Sequence, residues 1–248
     1  MYNNSNMQVK RYFFLLIIVL LSNSNIIAQK GNRLNIALEH YVGSQPVVLD
    51  SVFYKNDLGQ TFNVTKFKYY LSNFKLLSND SRIKNQDGYY LVNEDEDTTK
   101  RIVLNNIGDG TINGISFTIG VDSLHNSSGA QEGALDPMYG MFWAWNSGYI
   151  FLKLEGKSPS SNSPGKIFEF HIGGYKTPTN CIRTIKLNFA QPVVINGKNE
   201  LHLKVDIAEI LKNPVTIDLT KLSSVTDFHN ATMVADNYQD MFSVISVR

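Results

Sequence analysis

The sequence predicts an all-β protein, an antiparallel β-sandwich with one or two short helices. Short stretches rich in β-branched and aromatic residues recur after residue 33, and many of them alternate polar with apolar residues, which is typical of strands. Turn-forming sequences such as NQDGY, GDGTING and NGKNE separate these stretches. Segments with a helical period are few and short. Many short strands joined by turns favour a sandwich or a barrel.

The predicted strands follow one another from residue 34 to residue 219. The segment FNVTKFKYYLSNFKLLS over 62–78 predicts either one long, bent strand or two shorter strands. The remaining predicted strands are LNIALEH (34–40), GYYLV (88–92), RIVL (101–104), GISFTIGV (114–121), YIFLKLEG (149–156), KIFEFHIGGY (166–175), IRTIKLNF (182–189), PVVI (192–195), NELHLKVDI (199–207) and VTIDL (215–219).

Helices and irregular connections fill the gaps between strands. DIAEILK (206–212) and NATMVADNYQDMF (230–242) predict short helices, and Asn230 is the expected N-cap of the second. HNSSGAQEGALDPMYG (125–140) predicts a long irregular connection, a feature that is often functional in a compact domain. No repeat or composition shift marks an internal boundary, so we expect one mature domain over 29–248.

The N-terminus has the pattern of a secretory signal peptide. Lys10 and Arg11 precede the apolar run YFFLLIIVLL, which polar SNSN follows, and cleavage after Ala28 makes 1–28 the signal peptide. A spanning helix needs about 20 apolar residues, so we expect no membrane span after cleavage. No cysteine near the signal could carry a lipid. The mature protein is therefore expected in the periplasm or the medium.

Composition narrows the range of partners. The net charge of +1 gives no sign of a surface for nucleic acid or for an anionic membrane. The acidic run over 94–97 lacks the ligand spacing of a calcium loop, and we expect it to be a solvated loop. Cys181 is the only cysteine, which excludes an internal disulfide and predicts a small buried thiol.

Sequence motifs of catalysis are missing, and we expect a non-enzymatic protein. The chain has no G-x-S-x-G elbow, Walker loop, H-E-x-x-H or C-x-x-C motif. Three carboxylates flank the aromatic segment over 140–156, namely Glu132, Asp136 and Glu155. A pair of them on either side of a sugar would make a glycoside hydrolase, so this alternative stays open.

The aromatic segment GMFWAWNSGYIFLKLEG (140–156) contains both tryptophans. In a strand, Trp143 and Trp145 point to the same side, either into the core or onto a site. A second function class follows from this segment: a metal-free module in which Trp143, Trp145 and Tyr149 recognise a glycan or a partner protein.

The histidines are spaced so widely that a metal site would have to be assembled across the fold. His171 lies in FEFHIGGY on the face opposite to the phenylalanines, and His125 opens the long connection. His40 ends the first strand and His229 precedes the last helix, whereas His202 belongs to a polar strand face and is discarded.

Without a thiolate, the soft ligands on offer are imidazole and thioether, a set that suits copper(I) better than calcium or magnesium. The candidate thioethers are Met138, Met141, Met233 and Met241.

Four segments, in order, resemble the MbnP-like family of secreted or periplasmic copper-binding proteins: FKYYLSNFKLL, FTIGVDSL, GALDPMYGMFWAWNSGYIFLKLEG and FEFHIGGY. The resemblance runs from about residue 34 to ADNYQDMFSV, and GMFWAWNSGYIF is its most specific part. The sequence is most similar to the branch common in Bacteroidetes.

The resemblance implies a β-sandwich that holds copper(I) through two histidines and a tryptophan oxidised to kynurenine by a dihaem peroxidase-like partner. It matches His125 and His171 to family histidines, and Trp143 and Trp145 to the family's M-[FY]-W-x-W block. In the characterised sites the modified tryptophan lies close in sequence to a histidine, whereas here the nearest one is His125, 18 residues before Trp143. The residues expected at the metal site are His40, His125, Met141, Trp143, Trp145, His171 and His229.

Overall fold

Residues 31–143, 148–226, 228 and 230–248 are described by a computed structural model, and strands dominate them. The strands are β1 (Arg33–Val42), β2 (Gln45–Pro46), β3 (Phe53–Lys55), β4 (Thr61–Leu77), β5 (Gln86–Asn93), β6 (Arg101–Asn105), β7 (Gly110–Ile119), β8 (Phe142–Trp143), β9 (Gly148–Lys157), β10 (Ile167–Gly173), β11 (Arg183–Ile195), β12 (Lys198–Asp206), β13 (Ser224–Val225) and β14 (Phe242–Val247). The helices are α1 (Ser123–Ser127), α2 (Ile207–Ile210) and α3 (Ala231–Tyr238). Within the described ranges, no helix has both the length and the apolar character needed to cross a membrane.

The smaller sheet has five strands. Its order is β14–β12–β1–β2, and β6 also pairs with β1. Alternation along β1 buries Leu34, Ile36, Leu38 and His40 on one face and leaves the residues between them partly exposed on the other. This sheet therefore has an apolar inner face and a polar outer face.

The larger sheet has nine strands in the order β11–β7–β4–β9–β10–β13, with β3 and β5 paired to β4 and β8 paired to β9. Its longest strand, β4, spans 17 residues. The pairing of β4 with β7 shifts register between Ser72 and Lys75, and Asn73 lies there with a φ of 52°. The segment 62–78 is therefore one bent strand rather than two.

Aromatic rings join the inner faces of the two sheets. Phe242 of β14 contacts Tyr69 of β4 and Phe117 of β7, with ring centroids 6.0 and 4.9 Å apart. These contacts are edge-on, the favourable arrangement for aromatic pairs. The interior between the sheets is continuous and apolar, so the predicted all-β sandwich class is confirmed.

Strand direction differs from the expectation of a purely antiparallel fold. β1 pairs with β12 in parallel over nine residue pairs, from Arg33 with Lys198 to Tyr41 with Asp206, and β10 pairs with β13 in parallel as well. Long connections separate both pairs in sequence, which parallel pairing requires. The sheets are therefore mixed.

One predicted strand does not form. VTIDL (215–219) is a loop because the buried side chain of Asn237 bonds both the backbone N–H and the carbonyl of Val215. Both predicted helices exist in shortened form, but Asn230 makes no side-chain capping bond. The long connection begins with α1, a helical turn that the sequence reading did not predict.

Candidate metal-binding site

His171 lies on the outer face of the larger sheet. Its neighbours Phe170 and Ile172 are buried in the core, so the alternation of β10 turns the imidazole outwards. His171 Nε2 is 2.8 Å from Glu155 Oε1 on the adjacent strand β9, and Glu155 also pairs with Lys66 Nζ at 2.9 Å. The carboxylate therefore fixes the orientation of the ring.

The surroundings of His171 favour its neutral form. Burial lowers the pKa of His171, and the charge of Lys153, its cross-strand neighbour, lowers it further, against the opposing influence of Glu155. Nδ1 forms no hydrogen bond with any described residue. Metal-binding histidines usually have this arrangement, in which a carboxylate holds one ring nitrogen of a neutral imidazole and the other nitrogen is available to the metal.

Trp143 packs beside the same part of β10. A Cβ added to Gly173 would lie 2.7 Å from Trp143 Cζ3, so the indole lies directly against this glycine. Gly173 follows His171 by two residues, a distance of about 7 Å along a strand. The fold thus brings Trp143 to the strand that carries His171, although the hydrogen bond to Glu155 turns the imidazole along β10 away from Gly173.

The surroundings of Trp143 are mostly apolar. The side chain is 6% exposed, and the ring of Phe228 meets it edge-on with centroids 5.9 Å apart. Met141, two residues before it, is fully buried, and its carbonyl accepts a hydrogen bond from Ile150 N–H. Met141 is therefore a residue of the hydrophobic core. The expected site residues Trp145 and His229 lie outside the described residues.

His125 occupies a second, separate group. It lies in α1, and its Nδ1 bonds the N-cap residue Asp122 at 2.9 Å and the hydroxyl of Tyr89 at 2.8 Å. Tyr89 also donates a hydrogen bond to Asp122. The imidazole is 36% exposed, and its Nε2 makes no hydrogen bond with the described part of the chain. His125 is thus oriented and accessible.

The strand register separates the His125 group from His171. Tyr89 pairs with Ser72 of β4. His171 pairs with Lys153 of β9, which in turn pairs with Lys68 of β4. Lys68 and Ser72 are four residues apart, which corresponds to about 13 Å along a strand. The hydrogen bond from His171 to Glu155 also directs its ring towards the row of Lys66, on the side away from Ser72. The two histidines therefore lie in different parts of the outer face.

His40 belongs to the interior. Its Nε2 is 2.8 Å from the hydroxyl of Tyr69, and its Nδ1 bonds Glu94, so both ring nitrogens are engaged. Glu94 also pairs with Lys100 Nζ at 3.3 Å. The acidic run over 94–97 is therefore not wholly solvated, since its first carboxylate completes a polar cluster within the core.

The remaining candidates are distributed over the molecule. Within the described ranges no three residues among His, Cys, Asp and Glu are grouped closely enough to hold a metal ion. Trp143 and Tyr149 are buried and do not present their rings to a glycan, whereas Trp145 lies outside the described residues. Asp136 caps a 3-10 turn and Glu155 is ion-paired, so both have structural partners.

Residues that the sequence reading missed complete the His171 region. They are Gly173, which makes room for the indole, Phe228, which covers it, and Lys66, which shares Glu155. The sequence marks Glu155 only as one of three carboxylates of a possible glycoside hydrolase. No local signal reveals these contacts, because each depends on which strands become neighbours and in which register.

Comparison with known proteins identifies one family. A family model described as MbnP matches residues 31–231. Among solved structures, MbnP from Methylosinus trichosporium is similar at 13% sequence identity and a TM-score of 0.43, over 75% of this chain and 79% of that chain. No match is found among the curated proteins. The family match covers most of the chain, including the whole His171 region.

Proposed function

The chain belongs to the MbnP family, which is associated with copper, and we propose that it is a non-enzymatic, exported copper-binding protein that takes up, stores or delivers the metal. The observation that carries the proposal is the position of Trp143 against Gly173, two residues beyond a carboxylate-oriented His171. We propose that copper(I) binds in this region, with His171 as an imidazole ligand and Glu155 as the residue that positions it.

The residues fit copper in part. A neutral imidazole suits copper(I), and the lowered pKa of His171 keeps it neutral in neutral solution. An intact indole can only donate a hydrogen bond through its nitrogen, so Trp143 in its unmodified form lines the region without supplying a ligand. A second donor must then come from another residue or from a modified tryptophan. His229 is a candidate from the sequence, since it follows Phe228 in the chain.

The central experiment is a copper(I) titration of the purified mature protein against a competing chelator. Replacement of His171 by Ala should weaken binding by about tenfold or more, the range seen when a metal shell loses a partner. Glu155→Gln, which keeps the shape but removes the charge, should give a smaller loss in the same direction. His202→Ala is the matched control, because Glu39 holds His202 Nδ1 at 2.9 Å on the other sheet.

Two further variants separate the candidate ligands. His125→Ala should leave the copper affinity close to that of the parent protein, since His125 lies in its own group beside Asp122 and Tyr89. His229→Ala should weaken binding if this residue supplies the second donor. Unchanged affinity in His171→Ala, or an equal loss in His202→Ala, would contradict the proposed site.

The tryptophan modification implied by family resemblance has its own test. Protein isolated from its native cell envelope would carry kynurenine in the peptide that contains Trp143 and Trp145. That peptide would be heavier by one oxygen less one carbon, and mass spectrometry distinguishes the two forms. Intact tryptophan in native protein that still binds copper would mean that histidines suffice. Recovery of the protein outside the cytoplasm, starting near Gln29, would support export.

A further inference from the structure

A basic cleft lies on the outer face of the smaller sheet, on the opposite side of the sandwich from His171. It encloses about 400 Å³, within the range of small-molecule sites. The residues of β1 form its floor, where Ala37 and Asn35 have short side chains. Arg101 and Val103 of β6 form one wall, and His202 and Glu200 of β12 form the other.

Positive charge dominates the lining. Four cationic side chains reach the cleft, from Arg33, Arg101, Lys198 and Arg248, against one carboxylate. That carboxylate, Glu200, is already neutralised, because Lys198 pairs with it at 3.0 Å and Arg248 at 3.1 Å. The group of Lys198, Arg248 and Glu200 keeps one positive charge, and the other two positive charges belong to Arg33 and Arg101.

Arg33 and Arg101 have unused hydrogen-bonding capacity. Neither guanidinium forms an ion pair or a hydrogen bond with a described residue. The nearby carboxylate of Asp97 is paired with Lys100 at 2.8 Å, and this pairing lowers the pKa of Asp97 more than the charge of Arg101 does. Arg33 and Arg101 lie on the adjacent strands β1 and β6, and Arg101 pairs with Ala37, four residues beyond Arg33. The two positions are therefore about 13 Å apart along the sheet, at the two ends of the cleft.

We propose that this cleft binds a small organic oxyanion that carries carboxylate or phosphate groups. A guanidinium offers a planar, bidentate fork that matches these groups, and two unpaired forks at opposite ends suit a ligand with more than one anionic centre. The methyl of Ala37 and the side chain of Val103, which is 41% exposed, give the body of such a ligand an apolar contact. This site is independent of the copper region.

Calorimetric titration of the metal-free mature protein at an ionic strength of about 0.1 M, where the Debye length is about 10 Å, tests the proposal, with citrate and inorganic phosphate as the two probes. We expect one saturable site for citrate and weaker binding of phosphate, which reaches only one arginine at a time. Arg101→Glu and Arg33→Glu should each lower the citrate affinity by about tenfold or more, the scale of a charged hydrogen-bonded contact. Both side chains belong to partly or fully exposed positions, so the variants should fold normally.

Lys186→Glu is the control, since it makes the same charge change on an exposed residue of β11, away from the cleft. It should leave the citrate affinity within about twofold, because an exposed charge acts only weakly beyond a Debye length. Absence of saturable binding for both probes would overturn the proposal. An equal loss in Lys186→Glu and Arg101→Glu would also overturn it, because the effect would then reflect bulk charge alone.

Discussion

Replacement of Gly173 by Ala tests the contact on which the copper region depends. The added Cβ would lie 2.7 Å from Trp143 Cζ3 and 2.5 Å from the carbonyl oxygen of Tyr149. Ordinary contacts begin near 3.4 Å, so the indole would have to move by about 0.7 Å and the backbone of β9 by more. Gly173 has no left-handed φ, and the cost is therefore one of packing rather than of backbone strain.

Overpacking of this kind costs about 1–3 kcal/mol. In a domain of this size each 1 kcal/mol lowers Tm by about 2–4 °C, so differential scanning calorimetry should record a drop of several degrees. The copper(I) affinity should fall as well, because the indole would shift away from β10, the strand that carries His171. Gly148→Ala is a milder comparison, since its new Cβ would meet only Asn126 Oδ1, at 3.1 Å, and it should lower Tm by less than Gly173→Ala does. A Gly173→Ala protein that melts and binds copper like the parent would refute the packing argument.

Two other predictions concern the interior. Burial lowers the pKa of His40 below the usual 6.5, and Lys100 acts in the same direction, while Glu94 opposes them and the hydroxyl of Tyr69 is bonded. The folded state thus binds fewer protons at His40 than the unfolded state does. The contribution of neutral His40 to the free energy of unfolding is therefore complete above pH 6.5 and is lost as pH falls through the lower folded pKa. Urea unfolding measured between pH 5 and 8 should reveal this loss. Burial raises the pKa of Cys181 to about 12, so iodoacetamide at pH about 8 should alkylate it only after denaturation, and rapid labelling of native protein would contradict its buried position.

The fold class could be read from the sequence because a period of two survives in almost every strand. The relative direction of the paired strands could not be read from the sequence. β1 and β12 both alternate, and nothing local to either segment states that they pair in parallel. The false strand at 215–219 has a specific cause: Asn237, more than 20 residues away in sequence, occupies the backbone groups that a sheet would need.

The sequence named the residues of the proposed site but not their arrangement. The sequence singled out His171 and Trp143, but placed no histidine near the tryptophan, because the two belong to different strands. Trp143 meets β10 at Gly173, where the pairing of β10 with β9 shifts register between Ile172 and Gly173. Register of this kind follows from the whole sheet and not from a motif.

A carboxylate partner does not by itself identify the copper ligand. Each of the four described histidines bonds one: His40 in the core, His202 on the smaller sheet, and His125 and His171 on the larger one. His40 is excluded by its two engaged nitrogens, so orientation alone leaves three equivalent candidates. Trp143 is the remaining difference between His171 and His202, since it packs against Gly173 on the strand of His171, whereas His202 lies on the other sheet. Comparison of His171→Ala with His202→Ala therefore isolates the contribution of that environment, because both variants break a similar histidine–carboxylate pair.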